Sequence, residues 1–177
     1  MIAALRFILD TLLGLALFVV MARLLLQWTR ADFRNPVCQG IVKVTNPLIL
    51  PLRRVLPPVG KVDTASVVAV LLVAIVKVGS QFWLADLPLP PPVLAWVQAV
   101  VIEIARTLLQ TYFYAILAYA LLSMIAPGGY SPLQSLLASL CEPVLRPIRR
   151  VIPSISGLDL SPLWAGIAIQ ALLILLR

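Results

Sequence analysis

The chain has 177 residues, 62% hydrophobic and 12% charged, with 14 Lys and Arg against 7 Asp and Glu, a net charge of +7 and no histidine. A soluble domain carries about a quarter charged residues, so this composition and the mean hydropathy of +1.04 exclude an ordinary water-facing globule. The missing histidine also excludes His-based catalytic triads and histidine metal centres.

The first apolar block, Thr11 to Trp28, is of membrane-spanning length, for which roughly 20 mostly apolar residues are needed. Arg6 ahead of it suits a secretory signal. However, Arg23, Gln27 and Trp28 stand where small residues should precede a cleavage site, so the segment is expected to stay in the mature protein. A basic loop follows, with Asn35-Pro36 placing a capping residue before a proline at the first helical position. A second helix start is expected at Asn46-Pro47, and Pro51, four residues on, should kink that helix by deleting a backbone hydrogen bond. Asp63-Thr64 caps the second apolar block, Thr64 to Leu84. A connector containing Asp86 leads to a long apolar stretch, Val93 to Met124, and a short fourth block closes the chain, Ser161 to Leu176.

An internal repeat interprets the overlong third block. A shift of 96 residues lays PLILPLRRVLPPVGKVD (Pro47 to Asp63) on PVLRPIRRVIPSISGLD (Pro143 to Asp159). Pro47, Pro51, Arg53, Arg54, Val55, Pro57 and Asp63 meet identical residues at Pro143, Pro147, Arg149, Arg150, Val151, Pro153 and Asp159. A repeat fixes architecture before any local pattern does. The same shift lays the first span on 107–124, leaving Val93 to Arg106 as a helical lead-in near the membrane surface. The expected fold is all-α and integral to the membrane, with four spans at about 11–28, 64–84, 107–124 and 161–176. They form two tandem parallel repeats, 1–92 and 93–177.

Orientation follows from Arg30, Arg34, Lys43, Arg53, Arg54 and Lys61 in the first long loop and Arg146, Arg149 and Arg150 in the second. Lysine and arginine accumulate on the cytoplasmic side, so loops 29–63 and 125–160 are expected there, with both termini periplasmic. Trp28 falls at the inner interface and Trp83 and Trp96 at the outer one, where aromatic rings prefer to sit.

In the second loop, Ser131-Pro132 with Gln134 has capping-box spacing, Glu142-Pro143 marks a second start, and Ser161-Pro162 opens the last span. Val144, Leu145, Ile148, Val151 and Ile152 recur at helical spacing, opposite Arg146, Arg149 and Arg150. That pattern suits a helix lying in the headgroup layer. Arg53, Arg54, Arg146, Arg149 and Arg150 are accordingly the candidate contacts to anionic lipid or a protein partner. The competing arrangement pairs the arginines with Asp63 and Asp159 to brace the loops. Pro47, Pro51, Asp63, Pro143, Pro147 and Asp159 form the candidate structural motif. With three to six charges per loop, no nucleic-acid partner is expected.

The run RLLLQW (Arg23 to Trp28), then Asn35-Pro36, then PLRRVLPPVGKVD resembles the bacterial YggT family of membrane proteins. The segment EPVLRPIRRVIPSISGLDLSP, Glu142 to Pro162, is the closer match. Lys61 departs from an expected glycine, and Thr64-Ala65-Ser66 from the pattern kept at Leu160-Ser161-Pro162. The resemblance implies roles in osmotic and salt tolerance with potassium homeostasis, and in cell division or envelope organisation. Plastid relatives are linked to nucleoid distribution and membrane-complex assembly. It implies no catalytic residue and no cofactor.

Arg23, five residues from Trp28, is expected to snorkel to the inner surface. Lys77 is expected to snorkel or to pair with Glu103. Asp10, Lys77, Glu103 and Arg106 together could instead line an ion path. Cys38 and Cys141 are expected to be small buried side chains. The functional expectation is a non-enzymatic scaffold or assembly factor of the inner membrane, with membrane-protein partners or self-association open. The alternative is a small cation-transport component acting as an oligomer.

Overall fold

The computed structural model describes residues 2–57, 63–85, 91–125, 131–151 and 159–176, and every element among them is an α-helix. In chain order these are α1 (Ile2–Trp28), α2 (Pro36–Val55), α3 (Thr64–Leu84), α4 (Val93–Ile125), α5 (Pro132–Val151) and α6 (Ser161–Leu175). Starts and ends of α2 and α5 are offset by 96 residues, from 36 to 132 and from 55 to 151.

Helices α1, α3 and α4 are long and apolar enough to cross a membrane, while the equally apolar α6, at 15 residues, is shorter. Each is hydrophobic all round, as lipid-facing helices are. Leu12, Leu15, Val67, Val76, Val101, Leu117, Leu121 and Ile167 all point outward. Between helices the contacts use smaller side chains. Ala65, Ser66, Ala69 and Ala74 are buried on α3, which packs along α1. Ser161 and Ala165 are buried on α6, which packs along α4. In lipid no hydrophobic force drives helices together, so close backbone approach over small residues supplies the attraction. Helix α4 also touches α1 and α3, and α2 touches α5, joining the two sets of three helices.

The third block differs from its expected form. Val93 to Ile125 is one unbroken helix of 33 residues, so 93–106 is not a separate surface lead-in. At 1.5 Å per residue it extends for about 50 Å, well beyond a hydrocarbon core of about 30 Å. No proline or glycine lies in that stretch to stop it, and its charges, Glu103 and Arg106, find partners on neighbouring helices. Helix α1 likewise begins at Ile2, well ahead of the expected span, and its Asp10 accepts from the Gln81 carboxamide of α3 at 2.7 Å.

Neither Asn46-Pro47 nor Glu142-Pro143 starts a helix. Helices α2 and α5 run through Pro47, Pro51, Pro143 and Pro147. Each proline removes one hydrogen bond, and tertiary burial of Cys38, Thr45 and Ile49, or of Leu140, Cys141 and Leu145, holds the helix together across it. The starts lie where the caps put them. The Asn35 carboxamide oxygen accepts from the Val37 amide at 2.9 Å, and the Ser131 hydroxyl accepts from the Gln134 amide at 3.3 Å.

Helix α1 ends in a turn where the Ala31 amide bonds the Leu26 carbonyl at 3.0 Å and the Arg30 amide bonds the Gln27 carbonyl at 3.2 Å. This Schellman arrangement needs a left-handed residue after the helix, and Arg30 takes that place with φ 53°.

Candidate functional site at the helix junctions

Asp63 sits at the junction of three helices. Its Oδ2 accepts from the Arg53 guanidinium of α2 at 2.6 Å, the Ser66 hydroxyl of α3 at 2.8 Å and the Gln27 amide of α1 at 3.1 Å. Burial alone would raise its pKa, but these hydrogen bonds and the positive charge outweigh it and hold the carboxyl at about 2. The residue occupies the N-cap position of α3, yet its side chain caps no backbone amide because it is committed to the junction. Asp159 does the corresponding work before α6. It accepts from Arg149 at 2.8 Å and from the Ser161 amide at 2.9 Å, while Arg149 also reaches Glu142 at 3.1 Å. Burial raises this carboxyl too, and the bonds from Ser161 and Arg149 bring it below the ordinary value. The hydroxyl of Ser161 makes no cap; the cap position of α6 is Leu160.

The candidate arginines therefore divide. Arg53 and Arg149 brace α2 and α5 against the entries to α3 and α6. Arg54, Arg146 and Arg150 are exposed and form no ion pair with a described residue. On the apolar face of α5, Leu145 is buried, Val144 and Ile148 are half-buried and Val151 is exposed; Ile152, like Lys61 and Asp86, lies outside the described residues. The N-terminal ends of α2 and α5 are tied together, the Asn35 amide donating to the Pro132 carbonyl.

Arg23 does not snorkel. It is 2% exposed, and its guanidinium donates to the Thr45 hydroxyl at 2.6 Å and the Asn46 carboxamide at 3.0 Å. The cause is α2, which packs against α1 and offers polar groups within hydrogen-bond reach of the guanidinium. Thr45 passes the bond on to the Ile41 carbonyl at 2.7 Å. Sequence reasoning missed this network. The available signal was Thr45 and Asn46, two polar residues on the inward side of an otherwise apolar stripe.

Toward the other end of these helices, Lys77 of α3 pairs with Glu103 of α4 at 2.5 Å and stands 3.6 Å from Asp10 of α1. Lys77 and Glu103 are 12% and 13% exposed. Gly14 of α1 lies beside the ammonium group, a Cβ built there standing 3.4 Å from it, an ordinary contact distance. Arg106 does not join this cluster; it donates to the Leu176 carbonyl at the end of α6. Trp28 and Trp83 are exposed, whereas Trp96 stacks on Phe82 with ring centroids 6.1 Å apart.

Cys38 and Cys141 are both fully buried and free, and burial pushes the Cys141 thiol up to about 12. Among the described residues no group of carboxylates and cysteines is placed to hold a metal.

The CCB3/YggT family matches this chain twice, over residues 2–84 and 98–177. An uncharacterised protein of Pseudomonas aeruginosa is 37% identical over 164 residues, covering 93% of this chain and 83% of the relative. The uncharacterised protein YggT of Escherichia coli K12 is 36% identical over 159 residues, covering 90% and 81%. A Vibrio alginolyticus protein is 40% identical over 176 residues, covering 94% and 90%. No solved structure matches. Similarity of this extent, spanning nearly the whole of both partners, shows that the chain belongs to the CCB3/YggT family.

Proposed function

We propose that the chain is a non-enzymatic, multi-pass protein of the bacterial inner membrane that serves as a scaffold or assembly factor in envelope organisation and osmotic and salt-stress homeostasis. In this reading, two tandem repeats, 1–92 and 93–177, each contribute two spans in the same orientation, α6 being the short fourth. Helices α2 and α5 lie together on the cytoplasmic face at the headgroup level. One observation carries the reading: α2 and α5 are each clamped by an Arg–Asp pair and joined to each other, leaving Arg54, Arg146 and Arg150 outward. A braced amphipathic platform of this kind is suited to holding lipid or a partner in a fixed place. Deleting the gene should slow growth after an osmotic upshift, and the full chain should restore it where an Asp63→Asn, Asp159→Asn variant does not. Unimpaired growth of the deletion strain removes the osmotic part of the proposal.

A second reading, a small cation-transport component acting as an oligomer, is favoured by the Asp10–Lys77–Glu103 cluster. Ionisable groups inside spans are costly and often functional. Cation flux in proteoliposomes of the purified protein, absent with a Lys77→Met variant that is still folded by helical circular dichroism, would replace the scaffold reading.

A further inference from the structure

Where α1 ends against α5, the surface opens into a cleft of about 450 Å³. Thr29 forms one side, and Ser139, Glu142, Pro143, Arg146 and Arg150 form the other, with Pro147 between the arginines. On α5, positions 139, 143, 146, 147 and 150 recur at spacings of three and four, so they share one helix face. Arg146 and Arg150 are both exposed, with no carboxylate partner among the described residues. The one acid on the wall, Glu142, is held at 3.1 Å by Arg149, a cation that it shares with Asp159. The cleft therefore carries two guanidinium groups that form no ion pair with a described residue, an excess of positive charge over its one carboxylate.

The prolines add a second chemistry. Pro143 and Pro147 have no N–H, so the carbonyls four residues back, at Ser139 and Pro143, have no helical donor. The same face thus offers two cationic forks beside two carbonyls that lack their usual helical donor. Guanidinium forks match phosphate oxygens, and free carbonyls accept from hydroxyl or ammonium groups. Thr29 also follows Trp28, an exposed tryptophan ending an apolar helix, a residue type that favours the headgroup level. The equivalent face of α2 lacks the pair, having Leu50 at the place of Arg146 and only Arg54 at that of Arg150.

We propose that this cleft binds the phosphodiester headgroup of one membrane phospholipid, Arg146 and Arg150 holding the phosphate and the carbonyls of Ser139 and Pro143 accepting from its hydroxyl or ammonium group. The proposal rests on the reading that α5 lies at the membrane surface, and it deepens that reading by assigning a ligand to one of the two amphipathic helices.

The test uses the full-length protein in neutral detergent micelles, with bound phosphatidylglycerol counted by native mass spectrometry. One lipid should be retained, and Arg146→Gln with Arg150→Gln should weaken its binding about 30-fold, as expected for two surface charge contacts. Arg54→Gln should change it by less than about twofold. Arg146→Leu copies the residue already present on α2 at this place and should account for about a fivefold loss with the fold intact. Equal weakening by Arg54→Gln, or none by the cleft variants, overturns the site in favour of diffuse surface charge. Displacement of the lipid by millimolar inorganic phosphate overturns the headgroup assignment in favour of a soluble phosphate. A spin label on Val151→Cys, whose depth is measured in phosphatidylglycerol vesicles, reports separately on α5. Lost binding with α5 still at the surface refutes the cleft alone, and α5 away from the surface refutes the reading beneath it.

Discussion

Replacing Asp63 by Asn keeps the shape of the three-helix junction and removes its charge. The carboxylate is 8% exposed and held at about 2, against an ordinary 3.8. At 1.36 kcal/mol per pKa unit, that difference stabilises the folded protein by about 2 kcal/mol. Arg53, 42% exposed, is re-solvated by water, so it adds no large penalty of its own. Asp63→Asn should therefore cost about 2 kcal/mol at neutral pH, while Asp159→Asn, at a site 40% exposed, should cost under about 1 kcal/mol. The sign of the pH dependence is fixed by the lowered value. Between about 2 and 3.8 the unfolded chain binds more protons than the folded one, so stability rises with pH there. The contribution is complete above that window and is lost as pH falls through about 2. Reversible unfolding in mixed micelles, followed by helical circular dichroism, measures both the difference at neutral pH and the slope below pH 4. Equal stability of Asp63→Asn and wild type, or an unchanged acid slope in the variant, would refute the junction as a source of stability.

Lys77→Met strands Glu103 in a nearly buried place and should cost about 3–5 kcal/mol in the same assay, most of it recovered by adding Glu103→Leu. A Lys77→Met variant as stable as wild type would mean that the ammonium merely reaches for the surface. Arg30→Gly relieves a left-handed backbone that costs an ordinary residue roughly 1–2 kcal/mol, so it should raise stability by about 1 kcal/mol. No gain would show that the Arg30 side chain makes contacts worth as much as the strain. Removing the Asn35 cap by Asn35→Ala should cost about 1–2 kcal/mol and speed hydrogen exchange at the starts of both α2 and α5, because Asn35 also holds Pro132. Faster exchange in α2 alone would argue against that cross-link.

Much of this was legible in the sequence because local chemistry and tertiary context agree. Asn35-Pro36 and Ser131-Pro132 mark the true starts of α2 and α5, since the cap bonds one of the orphan first-turn amides and the proline removes another. The identical Arg and Asp places at 53 and 63 and at 149 and 159 exposed the bracing pairs as one of two options. The illegible parts are those where a partner far along the chain reverses a local preference. Asn46-Pro47 looks like a start by the same rule as Asn35-Pro36, but Arg23 engages Asn46 and burial of Ile49 carries the helix onward. Arg23 itself looks like a snorkelling residue until α2 is folded over it. Glu103 and Arg106 look interfacial until Lys77 and the last turn of α6 are placed beside α4.

The two buried thiols make the platform observable without any added probe. Cys38 is carried by α2 and Cys141 by α5, and neither has surface to offer an alkylating reagent. Burial also holds both in the unreactive protonated form. A maleimide can therefore report only those moments when a helix lifts from its seat. The Cys38→Ser and Cys141→Ser variants then give two separate clocks, one for each helix. Should α5 alone slow its clock when anionic lipid is supplied, the two halves of the platform would have different jobs: one fixed, the other latched by the membrane on which it rests.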